Sequence, residues 1–146
     1  MAKTFNILIA DDNVHVRKFL IRELAKPHYR IFEAANHQQL FSILYNQPDG
    51  IDLIVLDPAI PYIHGIEILQ RLLKLAPPVP VIVYTCLQEY QDHPVVQQMS
   101  AFVEKEGSVD DLQQTIDQVL QAHYAVFDPD HPGMGAGPNL DNQRDG

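Results

Sequence analysis

The sequence contains a single cysteine, Cys86, and few positive charges for its length. One cysteine cannot form an internal disulfide, which fits a reducing compartment such as the cytoplasm. The chain has 10 Lys and Arg against 19 Asp and Glu, a net charge of −9, and no cluster of basic residues. Because no basic stripe is available to neutralise phosphates, we expect no direct binding to nucleic acid.

Long hydrophobic runs are also missing. No segment approaches the roughly 18 apolar residues of a membrane span, and the apolar run near the N-terminus is too short for a signal peptide. The seven histidines contain no HExxH motif and no close pair, so they do not form a metal-ligand set. We therefore predict a cytoplasmic protein that does not bind a membrane.

Apolar runs that predict strands alternate with segments of helical periodicity. With 146 residues and 46% apolar residues, the chain can bury one hydrophobic core. The predicted strands are Phe5–Ala10, Tyr29–Ala34, IDLIVLD, VPVIVYT and AFVEK. The apolar positions of the predicted helices are Val16, Phe19, Leu20 and Leu24; Leu40, Ile43 and Leu44 after an Asn36 cap; Ile66, Leu69 and Leu73 within about 63–75; a short helix at about 94–99; and Leu112, Ile116, Val119 and Leu120 after a Ser108–Asp111 capping box.

This alternation predicts an α/β fold, a doubly wound five-stranded parallel sheet with helices on both faces. The expected strand order is the flavodoxin-like 2-1-3-4-5, in which ligands bind at the carboxyl ends of strands one and three. Residues 1–126 would form this domain. Residues 127–146 are rich in Gly, Pro and Asp, which predicts a flexible, disordered tail.

Polar residues end four of the predicted strands, and all of these ends lie at one edge of the sheet. Asp11 and Asp12 end the first, Asp57 the third, Thr85 the fourth and Lys105 the fifth. Two carboxylates about 4 Å apart repel by roughly 4 kcal/mol at an effective dielectric near 20. The acidic cluster therefore requires a counter-ion, and a divalent cation would supply it.

The ligand set of this cluster is made of hard oxygens, which favours Mg²⁺ or Mn²⁺ over zinc. Because Mg²⁺ commonly binds phosphate oxygens beside one or two carboxylates, the cluster also implies a phosphoryl ligand. Asp57 can act as the nucleophile of phosphoryl transfer, since carboxylates form aspartyl-phosphates. The Lys105 ammonium would bind a second phosphoryl oxygen, and the Thr85 hydroxyl, with backbone N–H groups, a third.

Four motifs, ILIADDN, LIVLDPAIPYIHG, VIVYT and AFVEK, together resemble the receiver domain of two-component response regulators, single-domain and chemotaxis-regulator-like, over roughly residues 4–125. The functional positions also occur in the family's order. From Asp12 through Asp57 and Thr85 to Lys105 they are separated by 45, 28 and 20 residues.

The resemblance implies that Asp57 accepts phosphate from a histidine kinase or a phosphotransfer protein. It implies metal ligation by Asp11, Asp12, Asp57 and the Ala59 backbone carbonyl.

The resemblance further assigns Lys105 to the phosphoryl oxygens, and Thr85 with Phe102 to the conformational switch, although Phe102 is also a core residue by periodicity alone. The chain would then be a regulatory domain that catalyses only its own phosphorylation and slow dephosphorylation. It would signal to an unknown downstream protein, with a homodimer through the fourth helix, fifth strand and fifth helix as a further alternative.

Several positions depart from the family pattern. Cys86 follows Thr85 where alanine or glycine is usual. Its larger side chain could narrow access to the phosphoryl site and alter the rate of dephosphorylation. Glu106 follows Lys105 where a proline with a cis bond is common. The segment 86–99 is polar and irregular, so the partner of the fourth-helix surface is not transferred from the family. His64 replaces an acid that often precedes the glycine.

Other functions stay open at this point. The chain could be a degenerate receiver-like module that binds protein with impaired phosphorylation, or a segment of a longer regulator. An aspartate-nucleophile phosphatase of the haloacid dehalogenase type requires a second acid at the position of Ala59. An FMN carrier requires a phosphate cradle in the first loop, where this sequence has DDNV.

Overall fold

The structure is a computed structural model, and it describes residues 4–59 and 65–124. The predicted tail at 127–146 and the helix start near Ile63 and His64 lie outside these residues. The domain boundary at residue 126 therefore stays a prediction. Within the described ranges, none of the helices combines the length and the apolar character that a bilayer crossing requires.

Five parallel strands form one sheet, in which the second strand lies at one side and is followed by the first, third, fourth and fifth. The predicted fold class and strand order are therefore confirmed. The first, third and fourth strands are predominantly apolar runs and are buried on both faces, whereas the second and fifth strands, at the sides of the sheet, are only partly buried. The strands are β1 (Phe5–Ala10), β2 (Tyr29–Ala34), β3 (Leu53–Leu56), β4 (Val81–Thr85) and β5 (Ala101–Glu104).

Helices follow each strand and alternate with them along the chain. A short 3₁₀ turn, Gln88–Tyr90, precedes the fourth helix, which has only four residues. The predicted short helix at about 94–99 is thus confirmed in place but ends earlier. The helices are α1 (Val14–Glu23), α2 (His37–Asn46), α3 (Gly65–Leu73), α4 (Pro94–Gln97) and α5 (Val109–Tyr124).

Side-chain caps lie at the start of four of these helices, and at α4 the His93 ring nitrogen Nδ1 accepts from Val95 N–H at 3.1 Å. The Asn13 side chain accepts from the N–H groups of His15 and Val16, and the predicted cap Asn36 accepts from Gln39 N–H. The Ser108 hydroxyl accepts from Asp110 N–H at 3.0 Å, one residue earlier than the predicted capping box requires. Ser108 therefore caps α5 by a tighter turn than predicted.

Two hydrophobic clusters cover the two faces of the sheet. On one face, α1 and α5 pack through residues such as Leu20, Leu112 and Ile116. On the other face, α2, α3 and α4 pack through residues such as Leu40 and Leu69. The four apolar positions predicted for α5 are all buried. Because helices cover both faces of the sheet, the carboxyl ends of the strands are where polar side chains can gather.

The predicted buried face of α3 is partly wrong. Leu73 is 43% exposed, whereas Ile68, Leu69 and Leu72 are buried. The segment contains two overlapping stripes at helical spacing, and the sequence alone does not select between them. In the structure the buried stripe is the one that includes Leu72.

Gly65 lies directly against the loop that follows β3. A Cβ atom at this position would lie 2.2 Å from the Pro58 carbonyl oxygen and 2.7 Å from the Pro58 Cβ. We expect Gly65→Ala to lower the free energy of unfolding by about 2 kcal/mol, because the loop or the helix must shift. Gly to Ala in an open helix position has the opposite sign. Urea denaturation, with Gln70→Ala on the exposed side of α3 as control, measures the effect. A stabilised Gly65→Ala protein would contradict this contact.

Candidate functional site

Backbone hydrogen bonds extend the sheet beyond the ends of its strands and position the polar residues there. Asp11 N–H donates to the Ala34 carbonyl, Asp57 N–H to the Ala10 carbonyl and Lys105 N–H to the Thr85 carbonyl, each at 3.0 Å. The backbone that carries these polar side chains is therefore held by the same kind of hydrogen bond as the strands themselves. Sequence predicted this common edge, and the structure confirms it.

The centre of the site is an ammonium group between two carboxylates. Lys105 Nζ lies 2.5 Å from Asp11 Oδ2 and 2.7 Å from Asp57 Oδ2. The side chains of Lys105, Asp11 and Asp57 are 14%, 2% and 10% exposed. Because water reaches these groups poorly, their charges interact strongly and depend on each other for compensation. Two negative charges and one positive charge leave the trio with an excess negative charge.

The second oxygen of each carboxylate accepts a hydrogen bond from a nearby backbone N–H group. Asp11 Oδ1 accepts from Asn13 N–H and Asp57 Oδ1 accepts from Ala59 N–H, both at 2.9 Å. Such short-range turns orient a carboxylate without help from distant residues. The other oxygen of each carboxylate then points to Lys105, so both side chains are held from two sides.

Burial and the ion pairs act in opposite directions on these groups. Burial raises the pKa of Asp11, although the hydrogen bonds from Lys105 and Asn13 lower it. Burial by itself lowers the pKa of Lys105, but hydrogen bonds and charge attraction from Asp11 and Asp57 outweigh it, so that pKa is raised. The ammonium therefore keeps its proton throughout the neutral range.

Two of the predicted site residues do not join the central ion pairs. Asp12 is exposed, beside the buried Asp11. Thr85 is buried, and its hydroxyl oxygen accepts from Leu87 N–H at 3.2 Å. The Thr85 hydroxyl is therefore engaged with its own loop in this conformation.

Phe102 lies on the side of the sheet that carries α4. It is partly buried and packs against the cluster that includes Val96, together with Tyr90 and Met99. It is paired in register with Val83 on the neighbouring strand. The ring is thus continuous with the core on the α4 side of the sheet.

The departures from the family pattern also have positions in the structure. Cys86 is exposed. Among the described residues the cis peptide bond is Ala76–Pro77, so the Lys105–Glu106 bond is trans. The trans bond nevertheless leaves Lys105 in contact with both acids. The segment after Cys86 contains the 3₁₀ turn and the short α4.

Sequence reasoning missed two residues beside the site, Asn13 and Arg17. Asn13 caps α1 and holds Asp11 Oδ1, and Arg17 Nη1 donates to the Asp11 carbonyl at 2.7 Å. An Asn directly before a helical pattern is a recognisable cap signal. Arg17 follows Asn13 by one helical turn, but no sequence rule relates an arginine there to a carbonyl oxygen.

Comparison with known proteins identifies the family. The family described as response regulator receiver domain matches residues 7–117. The chain therefore belongs to the response regulator receiver domain family, a regulatory module of two-component systems. The resemblance found in the sequence is confirmed.

Two curated relatives match at similar levels. KDP operon transcriptional regulatory protein KdpE of Escherichia coli (strain K12) is 32% identical over 128 residues, 86% of this chain and 55% of that protein. Sporulation initiation phosphotransferase F of Bacillus subtilis (strain 168) is 37% identical over 83 residues, 57% of this chain and 65% of that protein. The chain thus spans about half to two thirds of the length of these relatives.

The fold is similar to that of a solved response regulator, TrrA from Thermotoga maritima, in complex with Mg²⁺ and BeF. The TM-score is 0.71 at 25% identity, over 80% of this chain and 99% of that chain. A second structure of TrrA, in complex with the histidine kinase ThkA, gives a TM-score of 0.70 at the same identity and coverage.

The donor chemistry of the site fits Mg²⁺. Asp11 is a buried carboxylate that burial destabilises in its charged form, Asp57 faces the same point, and the oxygens are hard ligands. Within residues 4–59 and 65–124, however, no three His, Cys, Asp or Glu side chains already form a metal-binding group. The Lys105 ammonium occupies the space between two of the acids, and Asp12 is turned to solvent.

Lys105 compensates two buried charges, so its removal should be costly. We expect Lys105→Met to lower the free energy of unfolding by about 3 kcal/mol in metal-free buffer, because Asp11 and Asp57 then face each other uncompensated. Added Mg²⁺ should recover part of this loss, since it binds the folded state. Urea denaturation with and without Mg²⁺ measures both effects, with the exposed Lys74→Met as control. A Lys105→Met protein as stable as the wild type would refute the role of this ion pair.

The stability that Lys105 contributes should also depend on pH. The folded-state pKa lies above the ordinary value of 10.5, so the contribution is complete below pH 10.5 and is lost as pH rises through the raised pKa. In metal-free buffer, the difference in unfolding free energy between wild type and Lys105→Met should therefore shrink above pH 10.5. A difference that stays constant over this range would show that the charge of Lys105 does not stabilise the fold.

Proposed function

We propose that this chain is a phosphoacceptor that takes a phosphoryl group on Asp57 with the help of Mg²⁺ and signals to a protein partner. The observation that carries the proposal is the convergence of the Asp57 carboxylate with the Lys105 ammonium and the Asp11 carboxylate. A nucleophile, a cation for phosphoryl oxygens and a metal-binding acid are the parts that phosphoryl transfer to a carboxylate requires.

The donor would be a phosphohistidine of a histidine kinase or of a phosphotransfer protein. A carboxylate oxygen of Asp57 attacks phosphorus, the phosphorus–nitrogen bond of the donor breaks, and its electron pair returns to the imidazole. Lys105, which already contacts Asp57, is then placed to pair with a phosphoryl oxygen. The complex of TrrA with the histidine kinase ThkA supports a partner of this class.

Four oxygen ligands for Mg²⁺ are proposed, from Asp11, Asp12, Asp57 and the Ala59 backbone carbonyl. When bound, the ion would neutralise the charge that develops on the phosphoryl oxygens. The Mg²⁺ of the TrrA complex supports this choice, and we expect Mn²⁺ to substitute for it because both ions prefer hard oxygen ligands.

Thr85 and Phe102 are proposed to transmit the phosphorylation. A phosphoryl group adds about −1.5 to −2 charges and new acceptor oxygens. The Thr85 hydroxyl would leave Leu87 N–H and donate to the phosphoryl group, and Phe102 would move into the space behind it. The surface of α4, β5 and α5 would then carry the signal to the downstream partner, or to a second copy of the chain in a homodimer.

The proposed function also bears on the loss of the phosphate, the location of the protein and the extent of the domain. Slow loss of the phosphate, with water attacking phosphorus and Asp57 as leaving group, would end the signal. A cytoplasmic location would bring the chain to its kinase. Residues 1–126 would form the phosphorylated domain, with 127–146 as a tail.

Intact-mass measurement after treatment with acetyl phosphate tests the proposal. We expect the wild-type protein to gain the mass of one phosphoryl group with Mg²⁺ and none without it. Asp57→Asn should gain nothing, because an amide is not a nucleophile, whereas the exposed Asp49→Asn should be labelled as the wild type.

Two results would contradict the proposal. A mass gain in Asp57→Asn would place the acceptor elsewhere. A wild-type protein that resists labelling and does not bind Mg²⁺ would favour the degenerate receiver-like module.

A further inference from the structure

Arg17 is a largely buried arginine that contacts the backbone of the site. Its side chain is 11% exposed, and its Nη1 donates to the Asp11 carbonyl oxygen at 2.7 Å. Its Nε donates to Glu33 Oε1 at 2.8 Å. One guanidinium therefore connects α1 with the carboxyl ends of two strands, because Glu33 lies on β2 and Asp11 directly follows β1.

The carbonyl that Arg17 contacts belongs to the peptide unit that joins Asp11 to Asp12. A peptide unit is planar, so the direction of its oxygen fixes the direction of the next N–H and Cα. The Asp11 N–H donates to Ala34 and its carboxylate contacts Asn13 and Lys105. Arg17 holds the third polar group of Asp11, its carbonyl oxygen, and therefore acts on the peptide bond that leads to Asp12.

Asp12 needs such an anchor more than Asp11 does. Its side chain is exposed, so the position of its carboxylate depends on the backbone that carries it. Arg17 is itself well placed to hold that backbone, because its own N–H donates to the Asn13 carbonyl in the first turn of α1. Glu33 then fixes the orientation of the guanidinium plane, since the two donors of Arg17 point in fixed directions.

We propose that Arg17, oriented by Glu33, is a positioning residue that sets the Asp11–Asp12 peptide for Mg²⁺ binding. This inference rests on the proposed function, because it concerns the acids of the same metal site. Arg17 acts through the backbone and has no contact with the phosphoryl group. Groups that orient metal ligands commonly change metal affinity about 10- to 100-fold when they are removed.

The sign of the effect separates positioning from a simple charge effect. A positive guanidinium near a cation site opposes Mg²⁺ binding through its charge alone. If Arg17 acts only by charge, its removal tightens Mg²⁺ binding and Arg17→Lys changes nothing. If Arg17 positions the acids, its removal weakens binding in spite of the lost positive charge, and Arg17→Lys also weakens it.

Isothermal titration calorimetry of Mg²⁺ with the unphosphorylated full chain tests this inference. We expect Arg17→Ala to raise the dissociation constant about tenfold. Arg17→Lys should lie between the wild type and Arg17→Ala, because an ammonium can donate to the carbonyl but lacks the planar fork. Arg22→Ala, an exposed arginine of the same helix, is the matched control and should bind Mg²⁺ as the wild type does.

Thermal unfolding of the same variants completes the test. A lower melting temperature with an unchanged dissociation constant would overturn the inference in favour of a purely structural role. If Arg17→Ala does not fold, Arg17→Lys decides, and wild-type affinity in it would overturn the inference. No measurable Mg²⁺ binding by the wild type would instead overturn the proposed function, and this inference with it.

Discussion

The ion pairs of Lys105 with Asp11 and Asp57 are the interaction on which the site depends. Asp11, Asp57 and Lys105 follow β1, β3 and β5, respectively. The lysine side chain reaches from β5, at the side of the sheet, across β4 to the acids that follow β3 and β1. None of these contacts is local in sequence, so the site exists only when the sheet is assembled. The strict alternation of strands and helices is what brings these charges together.

The same lysine has two tasks that compete. In the resting protein it compensates two poorly solvated carboxylates, and in the proposed phosphorylated protein it would pair with a phosphoryl oxygen. A bound metal ion would take over part of the first task. Under the proposed function, Lys105 would therefore contribute both to the stability of the fold and to the chemistry of the site.

Much of this arrangement could be predicted from sequence because it depends on simple patterns. Continuous apolar runs predicted the strands, and polar residues at their ends predicted the acids, Thr85 and Lys105 at one edge. The rotation of α3 could not be predicted, since two apolar stripes, one with Leu72 and one with Leu73, both fit the helical period. The exposure of Asp12 and the reach of Arg17 depend on turn geometry and side-chain conformation, which periodicity does not describe.

In the proposed switch, the hydrogen bond from Leu87 N–H to the Thr85 hydroxyl favours the unphosphorylated conformation only weakly. A single neutral hydrogen bond contributes about 1 kcal/mol net, which corresponds to a population ratio of about five. If this bond were the whole free-energy difference between the two conformations, an appreciable fraction of molecules would adopt the signalling conformation without a phosphoryl group. Under the proposed function, the packing of Phe102 and α4 would therefore supply most of the preference for the unphosphorylated conformation.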